Sequence, residues 1–283
     1  MEEAEEAMAT EAKLTGSPWG ETAFAEGDCL RWRVGPLGFW VRRTPMEWQV
    51  AERHYETEGL AIAEWLPSAP EDAAWTRWAA GSVLPPVRVR PVLPDRPVVV
   101  RPAQPFRILK GGVAKIYVRT PVWVRVELAT EPEPLEITDL ATVRLSNTWF
   151  GSLFEGVLCY WTETAARRSL KGVVSRPHLV TTPMVIHNAV EEEMPIEKIC
   201  LHTQHLAVYE AGGALWTSEV KLERSDPDPA KPDRFDISDG PPEEAPGAAL
   251  LSAAREKPRG GVLASAFGLL SALPGLGGEG GAE

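Results

Sequence analysis

Cysteine is scarce in this 283-residue sequence: Cys29, Cys159 and Cys200 are widely spaced, and no C-x-x-C occurs. An odd, dispersed set argues against a disulfide framework and fits free buried thiols in a reducing compartment. The short signatures of common catalytic machinery are also missing, with no G-x-S-x-G, H-E-x-x-H, P-loop or G-x-G-x-x-G. KGGVAK at Lys110 has glycines without phosphate-loop spacing and reads as a turn. No cofactor is expected. Positive charge is in deficit, 29 Lys and Arg against 40 Asp and Glu for a net charge of −11, which disfavours a dedicated nucleic-acid binder. The opening MEEAEEAMATEAK places five Glu before its first Lys and has no apolar segment, so a secretory or transit signal is not expected there and a cytoplasmic location is.

What is present is a globular composition, 44% hydrophobic and 24% charged, with eleven Trp. Trp suits a large core or an aromatic binding surface, because its body is apolar and its indole N–H seeks a partner. Residues 1–16 offer nothing to bury and read as a disordered acidic arm. Residues 29–42, CLRWRVGPLGFWVR, read as a hairpin around Gly35-Pro36-Leu37-Gly38. TPMEWQVAERHYE carries a capping-box pattern from Thr44 to Glu47, yet Met46, Trp48 and Val50 alternate, and a strand is expected. Over 68–81 the spacing predicts a short helix, with Ser68 and Glu71 as capping box, Pro70 in the first turn, Trp75 and Trp78 on one face and Gly81 as stop.

Eight prolines between residues 85 and 121 exclude a long helix, leaving strands. The clearest is KIYVRTPVWVRVEL, 115–128, whose period of two implies one buried face and one wet face, with Pro121 marking an edge or bulge. Further strands are expected at 135–145, 155–162, 183–190, 196–209 and 214–223. The expected fold is therefore mainly β, an antiparallel sandwich or open barrel with one short helix and a flexible helical C-terminal tail. The sandwich-like region spans 17–224, with 17–84 and 85–224 as two packed subdomains if it divides. Residues 225–247 read as a Pro/Asp/Glu-rich linker, and 248–283 as an apolar tail.

Four places invite chemistry. Nine basic residues against one acid between Arg88 and Arg125 make either solvated strand faces or a docking surface for an acidic partner, with Arg119, Trp123 and Arg125 at its end. In LSNTWFGSLFEGVLCYWTETAARR, Trp149 and Phe150 read as turn aromatics holding two sheets at a corner; as a stacking platform they would draw on Arg167 and Arg168. The nearest approach to a metal set is ICLHTQH, but on a strand Cys200 and His202 share a face while His205 takes the other, so no metal site is expected. His187 and Asn188 on a neighbouring strand meet the same objection. Asp226, Asp228, Asp233, Asp236 and Asp239 lack calcium-loop spacing and read as solvated acids.

The tail residues Val262 to Leu273, including Phe267 and Leu270, recur at helical spacing. Such a helix is about 18 Å long at about 1.5 Å per residue, too short for a bilayer core of about 30 Å, so no transmembrane span is expected. It would fold back on its own domain, dock in a partner's groove or touch a membrane.

RVGPLGFWVRRTPMEWQVA, LPDRPVVVRPAQPF, YVRTPVWVRVEL, LSNTWFGSLFEGVLCYW, PMVIHN and LHTQHLAVYEAGGALWTSEV together resemble an uncharacterised prokaryotic family, domain of unknown function 432. The resemblance brings no catalytic residues. Members encoded beside small mechanosensitive channels imply a membrane-associated partner. The expected function is a non-enzymatic binding or regulatory module acting through a protein partner, with the basic strand surface and the C-terminal tail as its contacts. The alternative is a small-ligand binder or enzyme using the Trp149 turn with nearby His and Arg residues.

Overall fold

A computed structural model describes residues 17–68, 70–79, 85–151, 156–162, 166–227, 233–257 and 262–264. The fold is mainly β. In chain order the strands are β1 (Gly20–Thr22), β2 (Cys29–Arg43), β3 (Glu47–Leu66), β4 (Thr76–Ala79), β5 (Val87–Val92), β6 (Val98–Val100), β7 (Phe106–Ile108), β8 (Val113–Pro121), β9 (Trp123–Leu128), β10 (Leu135–Ala141) and β11 (Ser146–Gly151). They continue as β12 (Gly156–Trp161), β13 (Leu179–Asn188), β14 (Met194–Ile196), β15 (Ile199–Leu201), β16 (Val208–Ala211), β17 (Ala214–Thr217), β18 (Val220–Arg224), β19 (Asp233–Ile237), β20 (Ala249–Ser252) and β21 (Val262–Ala264).

Hydrogen bonding sorts these into sheets β2-β3-β4, β1-β5-β9-β10, β11-β12-β6-β15 and β20-β16-β17-β13-β18-β19-β21, with β8 along the other edge of β13 and a small pair β14-β7. Neighbours run antiparallel except β12 with β6 and β13 with β17 and β18.

Two apolar cores result. The first is a sandwich: Leu30, Trp32, Phe39 and Trp48 from β2 and β3 face Val87, Val89, Val124 and Val126 from β5 and β9. Trp32 stacks on Phe39 with ring centroids 5.1 Å apart, and Phe24 meets Trp48 edge-on. The second core gathers Val98, Ile116, Val118, Met184, Ile186, Ile199, Leu222 and Phe235. The chain builds the first core through β5, leaves for β6–β8, returns with β9 and β10, and then leaves again. A division at 84/85 therefore does not follow the cores, because β5, β9 and β10 pack in the first.

The alternation over 115–128 holds, but two strands share it. β8 pairs with β13, whereas β9 pairs with β5 and β10. Pro121, which has no N–H to donate, ends β8, and the Val122 N–H donates instead to the His178 carbonyl at 2.9 Å. The β9 face expected to be wet is buried: Glu127 is 0% exposed and Arg125 9%.

Other expectations are corrected where pairing partners outweigh local signals. β2 runs straight through Gly35–Gly38, which form irregularities in its register with β3. The hairpin turn lies at Thr44–Glu47, closed by the Thr44 N–H to the Glu47 carbonyl at 2.9 Å. In place of the helix over 68–81, residues 76–79 form β4 on the edge of β3, with Trp78 opposite Trp48. Trp75 packs beside Cys29, Trp40 and Ala51, while Trp78 packs on the first core. A strand's alternation lets these two indoles cover opposite faces of one sheet, which a shared helical face cannot do. The single strand expected over 196–209 is divided among the end of β14, β15, a one-turn 3-10 helix at Thr203–His205, and β16. Within the expected linker, β19 pairs with β18 and Phe235 is 3% exposed in the second core. Val262–Ala264, expected to begin a helix, is an antiparallel edge strand on β19. The rest of the tail, with Phe267 and Leu270, and the acidic arm 1–16 lie outside the described residues. No helix among the described residues is long and apolar enough to cross a membrane.

Candidate functional site

β11 and β12 form a hairpin whose tip, 152–155, lies outside the described residues. Asn147–Gly151, expected as a turn, lies within β11 instead. Strand alternation divides its aromatics. Phe150 points inward to a small cluster with Val99, Cys159 and Cys200. Trp149 points the other way and stays 51% exposed, opposite Leu158 at 45%. The indole lies across Gly156, where a Cβ would come within 2.2 Å of its Nε1, so only glycine leaves it room. Val157, next to Leu158, is 42% exposed.

Further along the Leu158 face, Tyr160 packs against Trp123 with centroids 5.8 Å apart, so one surface carries Trp149, Leu158, Tyr160 and Trp123. Arg96 lies over Tyr160 at 5.4 Å and Arg255 over Trp123 at 5.7 Å. The Tyr160 hydroxyl donates to Asp95 at 2.9 Å; burial, then this acceptor, raises its pKa. This surface is the candidate site.

Arg125, two residues beyond Trp123 on β9, is committed to carboxylates. Its Nε and Nη2 each donate to Asp139 at 2.8 Å, Glu136 takes Nη1, and Arg255 reaches Asp139 at 2.7 Å. Burial would raise the Asp139 carboxyl, but the hydrogen bonds and charges of Arg125 and Arg255 hold it below its ordinary range. Buried Glu127 is likewise clamped between Arg88 at 3.3 Å and Arg90 at 2.8 Å. Arg119, on β8, lies in another sheet beside Arg167 and Arg176.

The histidines are scattered. His54 bonds the Ala141 carbonyl, His178 rests on Gly35, His187 meets Glu223 at 3.2 Å, His202 sets its ring against Phe235, and His205 faces Glu256. Cys200 lies 3.8 Å from Cys159, sulfur to sulfur, and not with His202 or His205. No group of three or more His, Cys, Asp or Glu able to hold a metal ion occurs among the described residues. Sequence reasoning missed an open groove of about 440 Å³ lined by Val113, Val185, His187, Lys221, Leu222, Glu223, Arg234 and Asp236. It exists only through the register of β8, β13, β18 and β19, and His187 was its one sequence clue.

No curated protein and no solved structure matches the chain. A family model described as protein of unknown function (DUF432) matches residues 18–271, from before β1 to beyond β21. With so much of its length inside that match, the chain belongs to the DUF432 family.

Proposed function

We propose that the chain is a non-enzymatic, cytoplasmic binding module that takes a protein partner on the β11–β12 hairpin. One observation carries this reading: Trp149 and Leu158 stand exposed opposite each other on one face of a hairpin whose outer strand, β11, pairs with no further strand among the described residues. Large apolar side chains grouped in water are characteristic of contact surfaces, with Trp the commonest energetic anchor. An edge that no other described strand takes suits an extended partner segment, which adds main-chain hydrogen bonds along β11 while the exposed Trp149 ring supplies specificity. Three free, buried cysteines suit a reducing compartment. A membrane-associated protein is the partner that the family resemblance implies. The small-ligand alternative is disfavoured, since His187 and its groove belong to a different sheet from Trp149.

A photoreactive amino acid at position 149 of the full chain, expressed in its native cells, is expected to give one discrete protein adduct. The same group at position 221, in the groove, is expected to give none. An adduct from 221 but not from 149 removes the hairpin assignment, and none from either removes the module reading.

A further inference from the structure

A second surface carries an independent inference, on a different sheet from the hairpin. Arg119 stands on β8 opposite Thr181 of β13. Its side chain is partly buried, its Nε is buried without a hydrogen-bond partner, and no carboxylate bonds it among the described residues. Arg167 is brought beside it by an isolated bridge in which the backbones of Tyr117 and Arg167 exchange hydrogen bonds of 2.7 and 3.0 Å. Arg176 arrives from the turn before β13, where its carbonyl accepts the Leu179 N–H at 3.0 Å. Burial first, then the charges of Arg176 and Arg167, hold the Arg119 guanidinium below its ordinary proton affinity.

Among the described residues, one carboxylate answers the three guanidiniums. Glu58 pairs with Arg176 at 2.6 Å and lies 3.9 Å from His178 Nε2. His178 is 3% exposed, its Nδ1 has no hydrogen-bond partner, and burial lowers its pKa, so it favours the neutral form and adds no positive charge of its own. Among the described residues the cluster therefore carries a surplus of two positive charges. Guanidinium forks match the oxygens of a phosphate, and a dianion would cancel that surplus. We propose that Arg119, Arg167 and Arg176 form a binding site for a dianionic phosphate group, carried either by a soluble phosphorylated compound or by a lipid headgroup.

The test compares melting temperatures of the full chain in sodium phosphate and in sodium chloride of equal ionic strength, at about pH 8, where phosphate is mostly dianionic. A phosphate-specific rise is expected for the unaltered protein. Arg119→Met is expected to melt higher in chloride, because repulsion is relieved, and to lose the phosphate rise. Arg167→Ala, at an exposed position, is expected to lose it as well and decides the matter if Arg119→Met does not fold. Cosedimentation with phosphatidic acid vesicles but not phosphatidylcholine vesicles, lost in Arg167→Ala, assigns the phosphate to a lipid; a rise with free phosphate alone assigns it to a soluble compound. The proposal is overturned if neither probe distinguishes the unaltered protein from chloride or neutral vesicles, or if the response persists in these variants.

Discussion

The His178 ring lies so close to Gly35 that a Cβ on that glycine would come within 2.2 Å of Nδ1. Gly35 has φ of +59°, in the left-handed region that side-chain-bearing residues avoid. This contact ties β2 of the first core to the start of β13 in the second. Gly35→Ala combines a strained backbone with an overpacked contact and is expected to lose roughly 2–4 kcal/mol of stability. Chemical denaturation measures it; an unchanged midpoint would mean that the two cores are not joined here.

His178 also predicts a pH dependence. Burial, assisted by Arg176 and Arg119 and opposed by Glu58, lowers its pKa from the ordinary 6.5. A depressed native pKa means that the unfolded chain takes the proton more readily. The stability gained from neutral His178 is therefore whole above 6.5 and drains away as pH falls below it. Urea midpoints between about pH 7 and 5 should fall less steeply in His178→Gln than in the unaltered chain. Parallel slopes would show that other groups govern the decline.

Asn188, fully buried at the end of β13, organises the neighbouring loops. Its Nδ2 donates to the carbonyls of Ile108 at 3.0 Å, Leu109 at 3.3 Å and Glu192 at 2.7 Å, while its Oδ1 accepts the Val190 N–H at 3.2 Å. Asn188→Ala is expected to cost about 2–3 kcal/mol, since buried carbonyls lose their donor. Asn188→Asp should be worse, because it aims an acceptor at three acceptors. Equal stability of the two variants would deny the side-chain amide this role.

The thiols should be silent in the native protein. Burial pushes Cys29 up to about 11. The hydrogen bond with Cys159, then burial, raises Cys200 well above its ordinary value, and the same bond lowers Cys159, which is nevertheless 0% exposed. A thiol reagent at about pH 8 is expected to modify none of the three until denaturant is added. Prompt native labelling would show that one of these sites opens.

Local pattern revealed the strands but not their partners. The alternation in 115–128 is visible because period two is a property of consecutive residues; that β8 and β9 belong to different sheets depends on β13 and β5, far away in the chain. Ser68, Pro70 and Glu71 spell a helix start, yet the free edge of β3 recruits Thr76–Ala79 as a strand. Phe235 is one large apolar residue among prolines and acids, too little to announce a core strand, although β18 binds it. At the candidate site, Trp149 and Phe150 were visible as aromatics, but their opposite directions follow from the register of β11 on β12. The approach of Cys159 to Cys200 across 41 residues left no sequence signal.

The central claim is that exposed Trp149 and Leu158 hold a protein partner. Native mass spectrometry of the full chain purified from its own cells tests it most directly, with Trp149→Ser combined with Leu158→Asp as comparison and circular dichroism confirming that both fold. The expected result is a stoichiometric complex with a second protein for the unaltered chain and the bare chain for the variant. An unaltered chain that flies alone, or a complex that survives both substitutions, would contradict the account.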